Sequence, residues 1–205
     1  MSAEVEIETY ASLADRLLAL PARTTRLVAV DGPGGAGKSF FATRLAAALR
    51  AAPVVATDDF ATGAPGDSWF PRLRAEVLDP LLQGLPGRYR RYDWERKELA
   101  EWREVPRAPA VIIEGVSSAR RELAKELALV VYVLAPRGVR LERGLRRDGE
   151  AARPLWERWM AEEDAHFAAD ATISRCDLIV DGAPRVRHDP EIEFIRLAFV
   201  DRGRH

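Results

Sequence analysis

The chain has 205 residues, 47% hydrophobic and 31% charged, which suits one soluble α/β domain with a full core and argues against disorder. Its net charge of −1 gives no general attraction to nucleic acid or to an anionic membrane. A single cysteine, Cys176, excludes an internal disulfide, and the acidic start MSAEVEIETY lacks the pattern of a secretory leader, so a reducing cytoplasm is the expected compartment.

Taken in order, residues 10–20 carry Leu13, Leu17, Leu18 and Leu20 and predict an amphipathic helix ended by Pro21. Residues 27–30 (LVAV) form a short apolar run of the kind that fills a buried parallel strand. Immediately after it, Gly32, Pro33, Gly34, Gly35, Ala36, Gly37, Lys38 and Ser39 fit the phosphate loop G-x-x-x-x-G-K-[ST], and a helical run over residues 40–50 begins with Phe40. This order of parts has a physical basis. Glycines let the loop turn its N–H groups toward one centre, and the helix N-terminus adds partial positive charge. In such a loop Lys38 reaches the β- and γ-phosphates and the Ser39 hydroxyl holds Mg²⁺. Binding of a nucleoside triphosphate follows.

Residues 53–57 (PVVAT) predict a second strand, followed at once by Asp58, Asp59 and Phe60 and then a Gly/Pro-rich loop over residues 61–67. A helix is expected over residues 69–82, with Leu73, Val77, Leu78, Leu81 and Leu82 inward. Tyr92 and Trp94 flank Asp93 as on a short strand, so their rings share a side, and residues 95–102 read as helical. Residues 110–113 predict a third strand closed by Glu114 and Gly115, residues 118–127 a short helix, and residues 129–134 (LVVYVL) the strongest strand. Residues 137–147 form a basic helix in which Arg140, Arg143 and Arg147 share one face. Residues 153–167 predict another helix, with Leu155, Trp159 and His166 inward, and residues 177–180 a final strand. The tail over residues 182–205 reads as peripheral, with a weakly β stretch around residues 192–197.

Strands alternating with helices predict a parallel sheet covered on both faces, with the ligand at the carboxyl ends of the strands. Asp58, Asp59 and Glu114 fall beyond strand ends on the same edge as the phosphate loop. Phosphoryl transfer needs one carboxylate to take the proton of the attacking hydroxyl and another to hold Mg²⁺. Two absences narrow the field. The chain contains no asparagine, which excludes a guanine-reading N-K-x-D element and a protein-kinase catalytic loop ending in Asn. Its only glutamine, Gln83, lies away from the loop, so a Ras-like water-orienting glutamine is not expected.

The succession DGPGGAGKS, TDDF, YRRYDW, VIIEG and an Arg-rich helix ending RRD resembles the uridine kinase family of P-loop kinases, whose neighbours are phosphoribulokinase and one type of pantothenate kinase. The resemblance runs from about residue 28 to 181. It implies a three-layer P-loop kinase fold with a parallel five-stranded sheet and a short Arg-rich lid. The single domain would span residues 1–205, with a helical extension over 1–25, a lid over 137–155 and a peripheral tail over 182–205. By this resemblance Asp58 is the general base, Glu114 the Mg²⁺-associated acid, Tyr92 the nucleoside contact, and Arg143, Arg147 and Arg153 the arginines that close over ATP. Asp58, Asp59, Phe60, Trp94 and Lys97 join Tyr92 as candidate acceptor-site residues, and Asp58 joins Ser39 and Glu114 as a candidate at the metal. ATP and Mg²⁺ are the implied cofactors, and a small molecule, a pyrimidine nucleoside phosphorylated at its 5′-hydroxyl, the implied partner.

Two departures keep the acceptor open. Lys97 stands about where the family places a base-contacting His, and the ribose-binding Asp stretch has only Asp67 as a candidate. A kinase for another nucleoside, a nucleotide, a vitamin precursor or an antibiotic fits the same motifs, as does a nucleotide-binding switch without an acceptor. Oligomeric state is open.

Overall fold

The computed structural model describes residues 4–22, 24–60 and 69–198. Asp67 and the loop over residues 61–67 lie outside the described residues. The central strand, β2 (Arg26–Asp31), runs parallel between β6 (Ala110–Glu114) and β7 (Leu127–Leu134). Parallel strands β3 (Val54–Ala56) and β8 (Leu178–Asp181) flank these three, giving the expected parallel set of five. The sheet does not stop there. Beyond β8 come two antiparallel strands, β9 (Glu193–Ala198) and β1 (Glu4–Thr9), so the order is β1-β9-β8-β7-β2-β6-β3 and the expected five-stranded sheet is corrected to seven.

Both added strands have local causes. EVEIET alternates glutamate with Val5 and Ile7 at the strand period, although the segment reads as part of a helical extension. In the tail, Phe194 and Ile195 are buried, which joins β9 to the core. The helix α1 (Tyr10–Ala19) starts at the end of β1, where Thr9 Oγ1 accepts the N–H of Ser12.

Alternation along the buried strands divides the core between two faces. Val28, Val30, Ile112, Val131 and Val133 pack under α1 and under α2 (Lys38–Ala48). Leu27, Val111, Ile113 and Phe60 pack with Leu73, Val77, Leu78 and Leu81 on the other face. Those last four leucine and valine side chains come from a continuous helical rod over residues 69–82, as expected, but its middle is π-helical. The rod consists of α3 (Trp69–Leu73), a π segment (Arg74–Leu78) and α4 (Asp79–Leu82). Pro80 supplies the reason: it brings no N–H, and its ring excludes the regular i−4 carbonyl, so the register widens just before it.

Two segments read as helical differ. Residues 95–102 belong to a hairpin, β4 (Gly87–Asp93) and β5 (Glu98–Val105), which forms a separate two-stranded sheet. Asp93 Oδ1 accepts the N–H groups of Glu95 and Arg96, and Lys97 takes a left-handed φ of 56°, so the chain reverses before a helix can propagate. Of the short helix expected over residues 118–127, only a 3₁₀ turn, Arg121–Leu123, forms. The segment is tied instead by Asp31, whose carboxylate accepts the N–H groups of Ser117 and Ala119.

The last two helices, α5 (Arg137–Asp148) and α6 (Arg153–Asp170), meet at a 3₁₀ turn, Glu150–Ala152. The inward stripe of α6 is shifted by one residue from the expected one. Trp156 and Met160 are buried, whereas Trp159 is 40% exposed. Gly144 of α5 decides this. A Cβ there would stand 2.3 Å from Trp156 Cε2, so the missing side chain is the notch that receives the indole.

Candidate active site

Strand register brings the chemistry to one edge. Val30 and Ala56 both pair with Glu114, so the phosphate loop, the turn after β3 and the acid ending β6 leave the sheet at one level. The loop needs its glycines here. At Gly35, φ is +75° and a Cβ would stand 2.7 Å from the backbone oxygen of Arg140, leaving no room for another residue. Ala36 N–H donates to Pro33 O, and Gly37 precedes α2 with φ 108°. Among the described residues the N–H groups of Gly35, Gly37, Lys38, Ser39 and Phe40 have no hydrogen-bond partner, which leaves a set of donors for an anion.

Lys38 is buried, and its Nζ donates to Pro33 O at 3.1 Å. The Ser39 hydroxyl donates to Glu114 Oε1 at 3.1 Å. Burial pushes the Glu114 carboxyl above its ordinary range; Lys38 and the Ser39 hydrogen bond oppose this, while Asp58 and Asp31 add to it. Hydroxyl and carboxylate oxygens side by side beside a buried ammonium are the donor set that fits Mg²⁺ on a polyphosphate. No group of three or more His, Cys, Asp or Glu side chains that could hold a metal ion lies together among the described residues.

Asp58 and Asp59 lie on a 3₁₀ turn, Thr57–Asp59, and have opposite fates. Asp58 is exposed at the site edge. Asp59 is buried, and its Oδ2 accepts the Tyr89 hydroxyl at 2.7 Å and the Arg103 guanidinium at 3.2 Å. Burial, then the Asp59 carboxylate, drives the Tyr89 hydroxyl well above its ordinary pKa. Phe60 is fully buried, with its ring 4.5 Å from that of Tyr89, so it supports this wall from within the core. Tyr92 and Trp94 meet edge to face at 5.3 Å, as their alternation predicts, and Trp94 Nε1 donates to Asp58 O. Lys97 stands apart, exposed at the hairpin turn.

The three arginines of α5 do different things. Arg140 is 4% exposed and faces Glu163 and Asp164. Arg143 donates to the carbonyls of Gly35, Ala36 and Gly182, binding the phosphate loop to the end of β8. Arg147 forms a two-pronged pair with Asp148 and lies over the Trp156 ring, while feeling the charge of Asp58. Arg153 pairs with Glu150 at the turn between α5 and α6, and Phe40 is exposed under Arg44. His166 bonds through Nε2 to the Ser117 hydroxyl.

Two carboxylates at the site escape motif reading. Asp31 ends β2, is fully buried, and accepts the N–H groups of Gly32, Ser117 and Ala119, so it joins the phosphate loop to the segment after β6. Its position just before the first loop glycine was a usable signal. Glu163 accepts the Gly34 N–H with both oxygens, at 3.1 and 3.0 Å, and nothing local in an acidic helix marks it.

No protein-family model matches the chain, and no curated protein matches it in sequence. Solved structures do match. One is a protein from Bacillus stearothermophilus provisionally named a uridine kinase, at 19% identity and a TM-score of 0.63, over 83% of this chain and 96% of that one. Another, from Silicibacter sp. TM1040, is provisionally named a fructose transport system kinase, at 23% identity and a TM-score of 0.66, over 80% of this chain and 95% of that one. The chain shares the α/β fold of these two structures, with a mostly parallel central sheet. No helix among the described residues is long and apolar enough to cross a membrane.

Proposed function

We propose that this protein is a small-molecule kinase that transfers the γ-phosphate of ATP to a hydroxyl group, with the 5′-hydroxyl of a pyrimidine nucleoside as the leading acceptor. One observation carries the reading: Lys38, Ser39 and Glu114 converge at the phosphate loop beside an exposed carboxylate, Asp58, that no side chain neutralises among the described residues.

In this reading the free loop amides and Lys38 hold the triphosphate, and Ser39 and Glu114 hold Mg²⁺. Bound Mg²⁺ neutralises phosphate charge and fixes the oxygens for in-line displacement. Asp58 accepts the proton of the acceptor hydroxyl as the hydroxyl oxygen attacks the γ-phosphorus and the bond from that phosphorus to the β-phosphate oxygen breaks, releasing ADP. Arg147 releases Asp148 and turns to the transferring group, where its charge stabilises the transition state. Asp59, Tyr89 and Arg103, with Tyr92 and Trp94, form the acceptor wall, and Arg143 supports the loop. The fully buried Phe60 supports this wall from behind, against Tyr89, in place of the substrate contact expected of it.

The test is product formation. Purified protein with Mg·ATP is offered uridine, cytidine, fructose and pantothenate, and phosphorylated product is followed by ³¹P resonance. A pyrimidine nucleoside 5′-monophosphate is expected. A sugar phosphate would move the acceptor assignment, following the name given to the Silicibacter structure. ATP hydrolysis without any phosphorylated acceptor would favour the switch reading. Mg·ATP at a hundred times Kd should add about 2.7 kcal/mol of stability, and Lys38→Ala should remove most of it.

A further inference from the structure

Helix α6 contributes nothing to the phosphate-loop motif, yet three of its side chains along one stripe reach the loop, α5 or the segment after β6. Trp156 fills the Gly144 notch, donates Nε1 to Asp148 Oδ2 and comes within 3.3 Å of where a Gly34 side chain would begin. Met160 is fully buried beneath it. Glu163 takes the Gly34 N–H, and His166, one turn further, holds Ser117 in its left-handed conformation of φ 66°. The spacing 156, 160, 163, 166 keeps all four on one side of the helix.

The Glu163 contact is the costly one. Its side chain is only 16% exposed, and burial raises its pKa even though Lys38 and Arg140 lie nearby. A buried carboxylate beside a polyphosphate site works against anion binding unless it supplies something else. What it supplies is an acceptor for the Gly34 N–H, a loop amide outside the free set. That bond fixes the peptide at Gly34, and with it the directions of the Gly35 and Gly37 peptides that follow. Arg140, buried behind it with one ion pair to Glu163 and another to Asp164, keeps the carboxylate in place.

We propose that Glu163 is a positioning residue for the phosphate loop: through the Gly34 N–H it holds the loop open for a triphosphate, at an electrostatic cost that Arg140 offsets. The inference rests on the phosphate-loop reading but makes its own separate claim about loop order. Four proteins are compared: wild type, Glu163→Gln, Glu163→Ala and Glu162→Ala. The last is a control one residue away, where Glu162 is exposed and pairs with Arg158 among the described residues. Hydrogen exchange of the peptide spanning residues 32–39 reports loop order, and calorimetric titration with Mg·ATP reports affinity.

Gln keeps an acceptor oxygen and sheds the charge, so loop exchange should match wild type and Mg·ATP should bind a few-fold tighter. Ala removes the acceptor. Loop exchange should then accelerate and affinity fall, each by about tenfold, the scale of one charge-assisted hydrogen bond. Glu162→Ala should change neither. The inference is overturned if Glu163→Ala leaves loop exchange at the wild-type rate, if Gln loosens the loop as much as Ala, or if Glu162→Ala loosens it equally. Failure of the wild type itself to bind Mg·ATP would instead sink the kinase reading, and the exchange comparison would still decide the role of Glu163.

Discussion

Asp58 and Asp59 are neighbours in sequence with different partners in space. Asp59 is buried and accepts both the Tyr89 hydroxyl and the Arg103 guanidinium through Oδ2, so its carboxylate is committed to holding that wall. Asp58 is exposed beside Glu114 and Arg147. Asp58→Asn should therefore cut turnover by about 10²–10⁴-fold while leaving Mg·ATP affinity within a few-fold. Asp59→Asn should raise the KM for the acceptor with a smaller change in kcat. Steady-state kinetics on both variants checks the assignment, and a dead Asp59→Asn beside an active Asp58→Asn would reverse it. At this scale the sequence was legible where a short motif encodes the geometry, from Gly32 to Ser39. It could place Asp58 and Asp59 at a strand end but not say which one is buried. That depends on Tyr89 and Arg103, thirty and more residues away in the chain.

Elements show where local reading loses to tertiary packing. Trp156 and Trp159 have similar local claims to the inner face of α6, and only the notch at Gly144 decides between them. Gly144→Ala should force the indole out or bend α5, at about 1–3 kcal/mol. For a domain of this size each kcal/mol lowers Tm by about 2–4 °C, which calorimetry would detect. An unchanged Tm would mean that α5 and α6 separate easily. The β4–β5 hairpin gives a second test through the charges on its exposed side. Arg91, then Arg103, hydrogen-bonds the Glu101 carboxylate and lowers its pKa from 4.5 to about 2. A depressed carboxylate stabilises the fold above its ordinary pKa, and that contribution disappears as pH falls toward the folded value. The stability advantage of wild type over Glu101→Gln should accordingly shrink from about pH 5 down to about pH 2. Urea melts across that range measure it. A constant difference would show that the carboxylate's charge is idle. Helix-forming residues such as Glu98, Leu99 and Ala100 hid this hairpin, because the Asp93 turn outweighs their propensity.

For the molecule as a whole, the parallel five strands were legible because each is a run of buried apolar residues between helices. Of the two outer strands, β9 was legible only as a weakly β stretch around residues 192–197 and β1 was read as helical, because their place in the sheet depends on pairing with one another across almost the full chain. That pairing fixes how the fold responds to force. Glu4 lies opposite Ala198 and Thr9 opposite Glu193, so the outward ends of both strands sit at the same end of the ladder. Tension applied between residues 4 and 198 peels the antiparallel bonds one after another, whereas opposed pulling along the strands would load them all together. In optical tweezers the first event should be a low-force opening of β1 from β9, with the parallel sheet and its phosphate loop yielding later at higher force. A single rupture of the entire domain would show that the outer strands share the cooperativity of the core.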